Sequence, residues 1–449
     1  MSDGSDSSAS ETPATTRRSV LALVGSAAVA GCTSLPIGDQ RDTTELDGVR
    51  LRKLASRAEA LPSQTRPVEI TAAYLDSGET RARELLDEVP SPLTEAEIPN
   101  GVIRERVVDT RESATTALER AATATSPYQR LVELEHARGD ARFVAATWAA
   151  VGDRLTRDDV VAEASGLRQA IDDFRERWEY VGSDPVRSVV VHETLEARVR
   201  SATSGVENLR DGRTHHPGDV LDVGELAEEA ERARTNVADA GHVYEQYTDS
   251  LDDSRELAAT FSAARDTLVE AVRERTRDRF GTSSDPSDPT SLVERDVDGT
   301  PAASVLRELS RDLQFVDWGD ESVEWVANDV LRAHEHLVRH RALDAVVTRI
   351  EEGDDFTVER VADVEAGRND AVEAVSTTLS GSDVSALTRN LVPEVARRVE
   401  FADGRLADLE DTVRASWLDE VVAEYVVVST MVEATPSVSG RVGDALRSA

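Results

Sequence analysis

His336 and His340 stand four residues apart in a segment of helical periodicity, so their imidazoles project from one face, a turn apart. The Glu-His pair at 335–336 recurs at 135–136, and Asp140 follows His136 by the same four residues. If these two helices faced each other across a pseudo-twofold axis, His136, Asp140, His336 and His340 would offer three imidazoles and a carboxylate. That set suits a divalent transition metal, and no other cofactor is expected. On helices that do not meet, the same residues are surface or helix-end groups, because a histidine pair alone does not define a site. The remaining histidines carry less. His192-Glu193-Thr194-Leu195-Glu196 opens like the zinc-protease helix motif but has Glu where the second His belongs. Glu133 and His136 have the Glu-x-x-His spacing of di-metal bundle sites, yet Ala333 fills the duplicate position and the paired motif is missing. His215-His216 falls in a Pro/Gly turn. No nucleophile elbow, phosphate-cradling loop or dinucleotide fingerprint occurs, so no catalytic residue is assigned. Phe315, Trp318 and Trp325 are candidates for a ligand groove or for a packed core.

The elements that would position these groups are helices. From Leu46 onward apolar residues recur at three and four, and no stretch alternates as a strand. Thr156 and Asp159 read as a capping box; Asp184-Pro185 and Thr300-Pro301 place a capping side chain before a proline at the first helical position. Breaks dense in turn residues fall at 89–100, 210–220 and 281–290. The chain also repeats itself at about 200 residues. Leu131, Glu135, His136 and Ala145 recur as Leu331, Glu335, His336 and Ala345. After a slip of one, Gly152-Asp153, Thr156, Val160, Gly166 and Ala170 match Gly353-Asp354, Thr357, Val361, Gly367 and Ala371. Arg198, Val199, Ala202, Leu209 and Asp211 recur as Arg398, Val399, Ala402, Leu409 and Asp411. This period is far longer than a solenoid repeat. The expectation is an all-α protein of two related long-helix bundles from an internal duplication, at 46–212 and 222–435, with His215–Gly218 as the junction. Residues 131–211 should superpose on 331–411. Leu195, Val199, Ala202, Val206 and Leu209, and Val395 through Val413, step by four and three as antiparallel bundle seams do. The apolar run from Trp417 to Val432 is broken by Asp419, Glu420 and Glu424 and reads as a buried final helix; 436–449 reads as a disordered tail.

Ahead of the bundles, Thr16-Arg17-Arg18-Ser19-Val20-Leu21 leads into a short apolar core that ends at Val29-Ala30-Gly31-Cys32. The core from Val20 to Ala30 is too short to span a bilayer, which takes roughly 20 residues. A basic pair, an apolar core and a cysteine after small residues make an export signal over 1–31, followed by a polar tether over 32–45. The segment resembles the twin-arginine lipoprotein signals common in haloarchaea, apart from a missing Phe where Val20 stands. The resemblance covers residues 16–32. It implies that Arg17 and Arg18 direct export, that Cys32 becomes the lipidated first residue of the mature protein, and that the protein is held at the outer face of the cytoplasmic membrane. Cys32 is the only cysteine, which excludes an intrachain disulfide and a cysteine-based metal cluster.

Composition agrees with the source which that resemblance implies. The 449 residues carry 87 acidic and 51 basic side chains, a net charge of −36, and Lys53 is the single lysine. Self-repulsion on this scale destabilises a compact chain in dilute buffer. At molar salt the screening length falls to about 3 Å and the repulsion fades. Arginine in place of lysine supplies planar pairs for the abundant carboxylates. Hydrophobic residues at 39%, in regular periods, oppose disorder. Without a basic stripe, nucleic acid is not an expected partner. The functional expectation is a lipid-anchored binding or scaffold protein with partners at the cell surface. The alternatives are a metal site between the duplicated histidine helices, and a solute-capturing lipoprotein of a transporter.

Overall fold

The computed structural model describes residues 44–57, 61–216, 219–281, 289–311, 313 and 325–449. The described chain enters at β1 (Glu45–Asp47) and α1 (Gly48–Ala55). Six helices make the first bundle: α2 (Ala72–Asp87), α3 (Gly101–Thr123), α4 (Pro127–Val151), α5 (Arg157–Arg177), α6 (Pro185–Asp211) and α7 (Val220–Asp249). A short strand β2 (Val181–Gly182) lies between α5 and α6, and β3 (Arg255–Glu256) follows α7. The second bundle is α8 (Ala258–Phe280), α9 (Pro301–Arg311), α10 (Val326–Glu351), α11 (Val361–Leu379), α12 (Ala386–Ala407) and α13 (Asp419–Ser448). Strand β4 (Thr412–Arg414) and a 3-10 turn (Ala415–Leu418) join its last two helices.

The two bundles repeat one plan. In the first, α4 packs on α2, α3 and α7, and α5 and α6 each pack on α7. In the second, α10 packs on α8, α9 and α13, and α11 and α12 each pack on α13. The all-α duplication read from sequence is therefore the architecture. Local chemistry repeats with it. Helix α4 ends with Arg154 N donating to Ala149 O at 2.9 Å, and α10 ends with Asp354 N donating to Arg349 O at 3.0 Å. These are the same six-to-one closing bonds. The left-handed residue of the turn is Asp153 in one half and Gly353 in the other, at φ 55 and 115. The equivalence at this turn is therefore 200 residues, without the one-residue slip that matching Gly152 to Gly353 implies. The next loop is four residues longer in the second half, between α10 and α11. Buried Val160, Ala164, Leu167 and Ile171 accordingly correspond to buried Val364, Arg368, Ala371 and Val375, 204 residues on. Thr357 lies in that longer loop and is not the counterpart of the cap Thr156.

The expected capping box is present: Thr156 N donates to Asp159 Oδ2 at 3.0 Å and Asp159 N to Thr156 Oγ1 at 3.3 Å. Asp184 caps α6 through Val186 N at 3.2 Å. Pro301 opens α9, but Thr300 Oγ1 donates to Val297 O at 2.7 Å.

Four boundaries differ from the sequence reading. The junction is not at His215–Gly218: α6 stops at Gly212 in left-handed conformation, and α7 folds back onto α4, α5 and α6. The first bundle therefore runs to Asp249. Residues 46–55 belong with the second bundle, because β1 pairs antiparallel with β4 and α1 packs on α12. Glycine is required at position 48, where a Cβ would collide with the Glu410 carbonyl oxygen. The α12 seam ends at Leu406; Val413 is buried in β4 instead. The segment 436–449 is not a disordered tail: α13 continues to Ser448, with Val438, Val442 and Leu446 burying one stripe despite Pro436 inside the helix. Residues 415–448 are long and apolar enough to cross a membrane by length and composition, but 72% of the 18-residue apolar window within them is buried in the fold. It is the central helix of the second core.

Helix α6 joins the bundles. Val186, Val189 and Val190 belong to the second bundle's core, while Val191, Leu195 and Val199 belong to the first. The β2–β3 ribbon, with Val181 opposite Glu256, closes over the same place.

Candidate functional site

Two pairs of sequence-predicted ligands form, and they stay apart. His136 is exposed on α4, and Asp140, one turn on, lies 3.7 Å from Arg232 of α7. Burial raises the Asp140 pKa against the pull of Arg232. His336 and His340 are both buried on α10. Among the described residues no three His, Cys, Asp or Glu side chains gather as a metal set. The expected site at His136, Asp140, His336 and His340 is thus not assembled. Each duplicated helix turns these residues to partners of its own bundle. His340 Nε2 lies 3.1 Å from Thr276 Oγ1 of α8. Burial, with Arg275, His336 and Arg279 nearby, pushes its pKa down to about 4. Such surroundings keep the ring neutral but oppose a second cation.

His340 does sit at the back of an open groove of about 780 Å³ between α8, α10 and the 3-10 turn Pro289–Leu292. Arg279 of α8 pairs with Asp344 there, and Arg275 approaches the same carboxylate at 3.9 Å. This arrangement can hold a small charged solute.

The more constrained constellation lies at the junction, on the α6 face that includes the rejected His192–Glu196 stretch. Glu196 is fully buried and accepts three hydrogen bonds: Tyr180 Oη at 2.7 Å, Ala327 N at 2.9 Å and Asn328 N at 2.6 Å. The last two are orphan donors of the first turn of α10, whose own N-cap residue Trp325 contributes no side-chain bond. A carboxylate of one bundle therefore caps a helix of the other. Burial outweighs these bonds and lifts the Glu196 pKa to about 7. One turn earlier, His192 accepts from Trp178 Nε1 at 3.1 Å, and its Nε2 lies 2.9 Å from Val181 O. Burial drives its pKa to about 4, so it is a neutral ring packed among Trp178, Tyr180, Tyr247 and Phe261. Trp325, half-buried, packs against the first bundle's core with Arg175 5.6 Å from its ring centroid. It seals the junction rather than lining a groove. Phe315 and Trp318, like Arg17, Arg18 and Cys32, lie outside the described residues.

A buried charged network stiffens the first bundle from inside. Arg198 of α6 meets Glu135 of α4, Asn236 Oδ1 at 3.0 Å and Asp239 Oδ2 at 3.4 Å, and Tyr74 of α2 donates to Asp239 at 2.7 Å. Burial resists ionisation of Glu135, but Arg198 and Asn236 outweigh it and lower its pKa. The duplicate residues do not repeat the network. Glu335 pairs with Arg339 at 3.0 Å, and Arg398 with Glu424 at 2.7 Å. Sequence reasoning used Glu135 and Arg198 only as markers of the repeat. It passed over Glu196, although the start of α10 at Trp325-Val326-Ala327-Asn328 has no Ser, Thr or Asp cap of its own, and a foreign cap is the physical remedy.

Comparison with known proteins divides the chain at the same place as the fold. Residues 73–253 match a family described as a domain of unknown function (DUF8262), and residues 258–444 match a second one (DUF8264). No curated protein and no solved structure matches. The division falls between α7 and α8, so the repeated bundles have diverged far enough to be described by two distinct family models.

Proposed function

We propose that the protein is a rigid binding and scaffolding module rather than an enzyme, exported by a halophilic archaeon and held by a lipid on Cys32 at the outer face of the cytoplasmic membrane. The observation that supports this reading is helix α6, which buries side chains in both cores and caps α10 through Glu196. A solute-capturing clamshell works by a hinge between its halves. Here the junction is filled by Val186, Val189 and Val190 on the second bundle's side and by Val191 and Leu195 on the first's. Two bundles at fixed spacing suit simultaneous engagement of surface partners. The net charge of −36 suits molar salt and disfavours nucleic acid.

The test is chemical cross-linking on native membranes in molar KCl, with purification of the tagged full chain. A defined cell-surface protein recovered in fixed stoichiometry is the expected result. Cys32→Ala should release the chain from the membrane pellet, and Arg17→Lys with Arg18→Lys should hold it inside the cell. Retention of the Cys32→Ala chain in the pellet contradicts the anchor. The groove beside His340 favours a second reading, capture of a small charged solute. A saturable rise in Tm with one solute, abolished by Arg275→Ala, would replace scaffolding by capture.

A further inference from the structure

Four large apolar side chains stand exposed among the described residues, and three of them lie on adjoining elements: Val49 on α1, Phe401 on α12, and Trp417 in the turn after β4. Trp417 and Phe401 are 60% and 63% exposed. Salt bridges fix their relation. Arg398 pairs with Glu424, and Arg405 pairs with Glu420, across the antiparallel α12 and α13. Phe401 lies between Arg398 and Arg405 on one helix face, and Trp417 lies three residues before Glu420. Phe401 and Trp417 thus each stand within about one helical turn of a residue of these α12–α13 bridges. Val49 is on α1, which packs on α12 and on β4.

This face is also where the described chain begins. Ala415 N donates to Thr44 O at 2.9 Å, two residues before Trp417. Cys32 precedes Thr44 by twelve positions, a span of at most about 43 Å. Lipid anchoring is firm only with two signals, and the second can be a further chain or a contact made by the protein itself. Tryptophan is the side chain most at home in the headgroup region. The geometry points to this face as that second contact: Trp417, Phe401 and Val49 enter the interfacial layer of the bilayer to which Cys32 is attached. The inference rests on the lipid-anchor reading above. The contact is apolar rather than electrostatic, since Glu420 and the exposed Asp411 stand at the rim.

The test separates the docking face from the lipid. The full chain carrying Cys32→Ala is mixed in molar KCl with phosphatidylcholine–phosphatidylglycerol vesicles bearing brominated acyl chains. Flotation with the vesicles and partial quenching of tryptophan fluorescence are expected. Trp417→Phe should abolish the quenched fraction. Trp417→Ser with Phe401→Ser should lower vesicle partition by about tenfold or more, the effect of returning two large apolar groups to water. Unchanged far-UV circular dichroism certifies the fold of each variant. Equal flotation of the double variant, or no quenching attributable to Trp417, overturns the inference. So does a concentration-dependent dimer that the double variant abolishes while vesicles go unbound, which would assign the face to a second copy of the chain. The mass of the Cys32 peptide from native membranes reports separately on the anchor. A missing lipid with intact vesicle binding removes the anchor and leaves the docking face standing.

Discussion

Buried titratable residues set opposing pH dependences in this molecule. His192, His334 and His340 each fall to about 4 through burial, well below the usual 6.5. A depressed histidine pKa means stability that is complete above 6.5 and is lost as pH falls toward 4. Each contributes up to about 3 kcal/mol over that range. Glu196 works the other way. Burial raises its pKa from 4.5 to about 7, so its contribution is complete below 4.5 and is lost as pH rises through 7. Buried Asp239, raised to about 6, acts in the same sense as Glu196, but three histidines outweigh these two carboxylates on the acid side, and denaturant melts at molar KCl should show stability dropping between pH 6 and 4. Glu196→Gln removes the contribution that opposes the histidines, so stability should rise more steeply from pH 5 to 7 than in the wild type, and the variant should cost about 1–3 kcal/mol at pH 5 through poorer capping of Ala327 and Asn328. A variant that keeps the wild-type slope over pH 5–8 contradicts the burial argument. None of these roles was legible in sequence. His192 and Glu196 were visible only as a failed metal motif, because the group that Glu196 serves is backbone 131 residues away.

The helices themselves were legible, because apolar period, caps and turn residues are local. What sequence could not fix was register across loops. Gly152-Asp153 and Gly353-Asp354 look equivalent as dipeptides, yet the left-handed position falls on Asp153 and on Gly353. An L-residue with a Cβ is disfavoured there and glycine is not. Asp153→Gly should therefore stabilise the α4–α5 turn by up to about 1 kcal/mol, and Gly353→Ala should destabilise its counterpart by about 1 kcal/mol. Thermal melts of the two variants should move in opposite directions. Movement in the same direction would mean that the two turns are not equivalent. Helix partners were equally out of reach. The Leu195–Leu209 stripe announced a packed face, but that α6 also serves the other bundle through Val186, Val189 and Val190 depends on tertiary contacts. The end of α13 was misread because Pro436 and a run of small residues resemble a tail, whereas Val438, Val442 and Leu446 keep the helical stripe.

At the scale of the whole molecule, the duplication was visible and its boundary was not, since a Pro/Gly turn within a bundle looks like one between bundles. The fused junction and the acidic surface make separate predictions. Helical circular dichroism should fall on dialysis from molar salt into dilute buffer, and Tm should climb with KCl as carboxylate repulsion is screened; a Tm indifferent to salt contradicts the halophilic reading. The central claim is that two diverged bundles form one rigid body. Differential scanning calorimetry of the full chain in molar KCl tests it most directly. One cooperative transition, with calorimetric and van't Hoff enthalpies equal, is the predicted result, because unfolding either bundle strips Val186, Val189, Val190 and Glu196 of their partners. Two resolved transitions, each with the enthalpy of one bundle, would show that the halves unfold independently and would contradict the account.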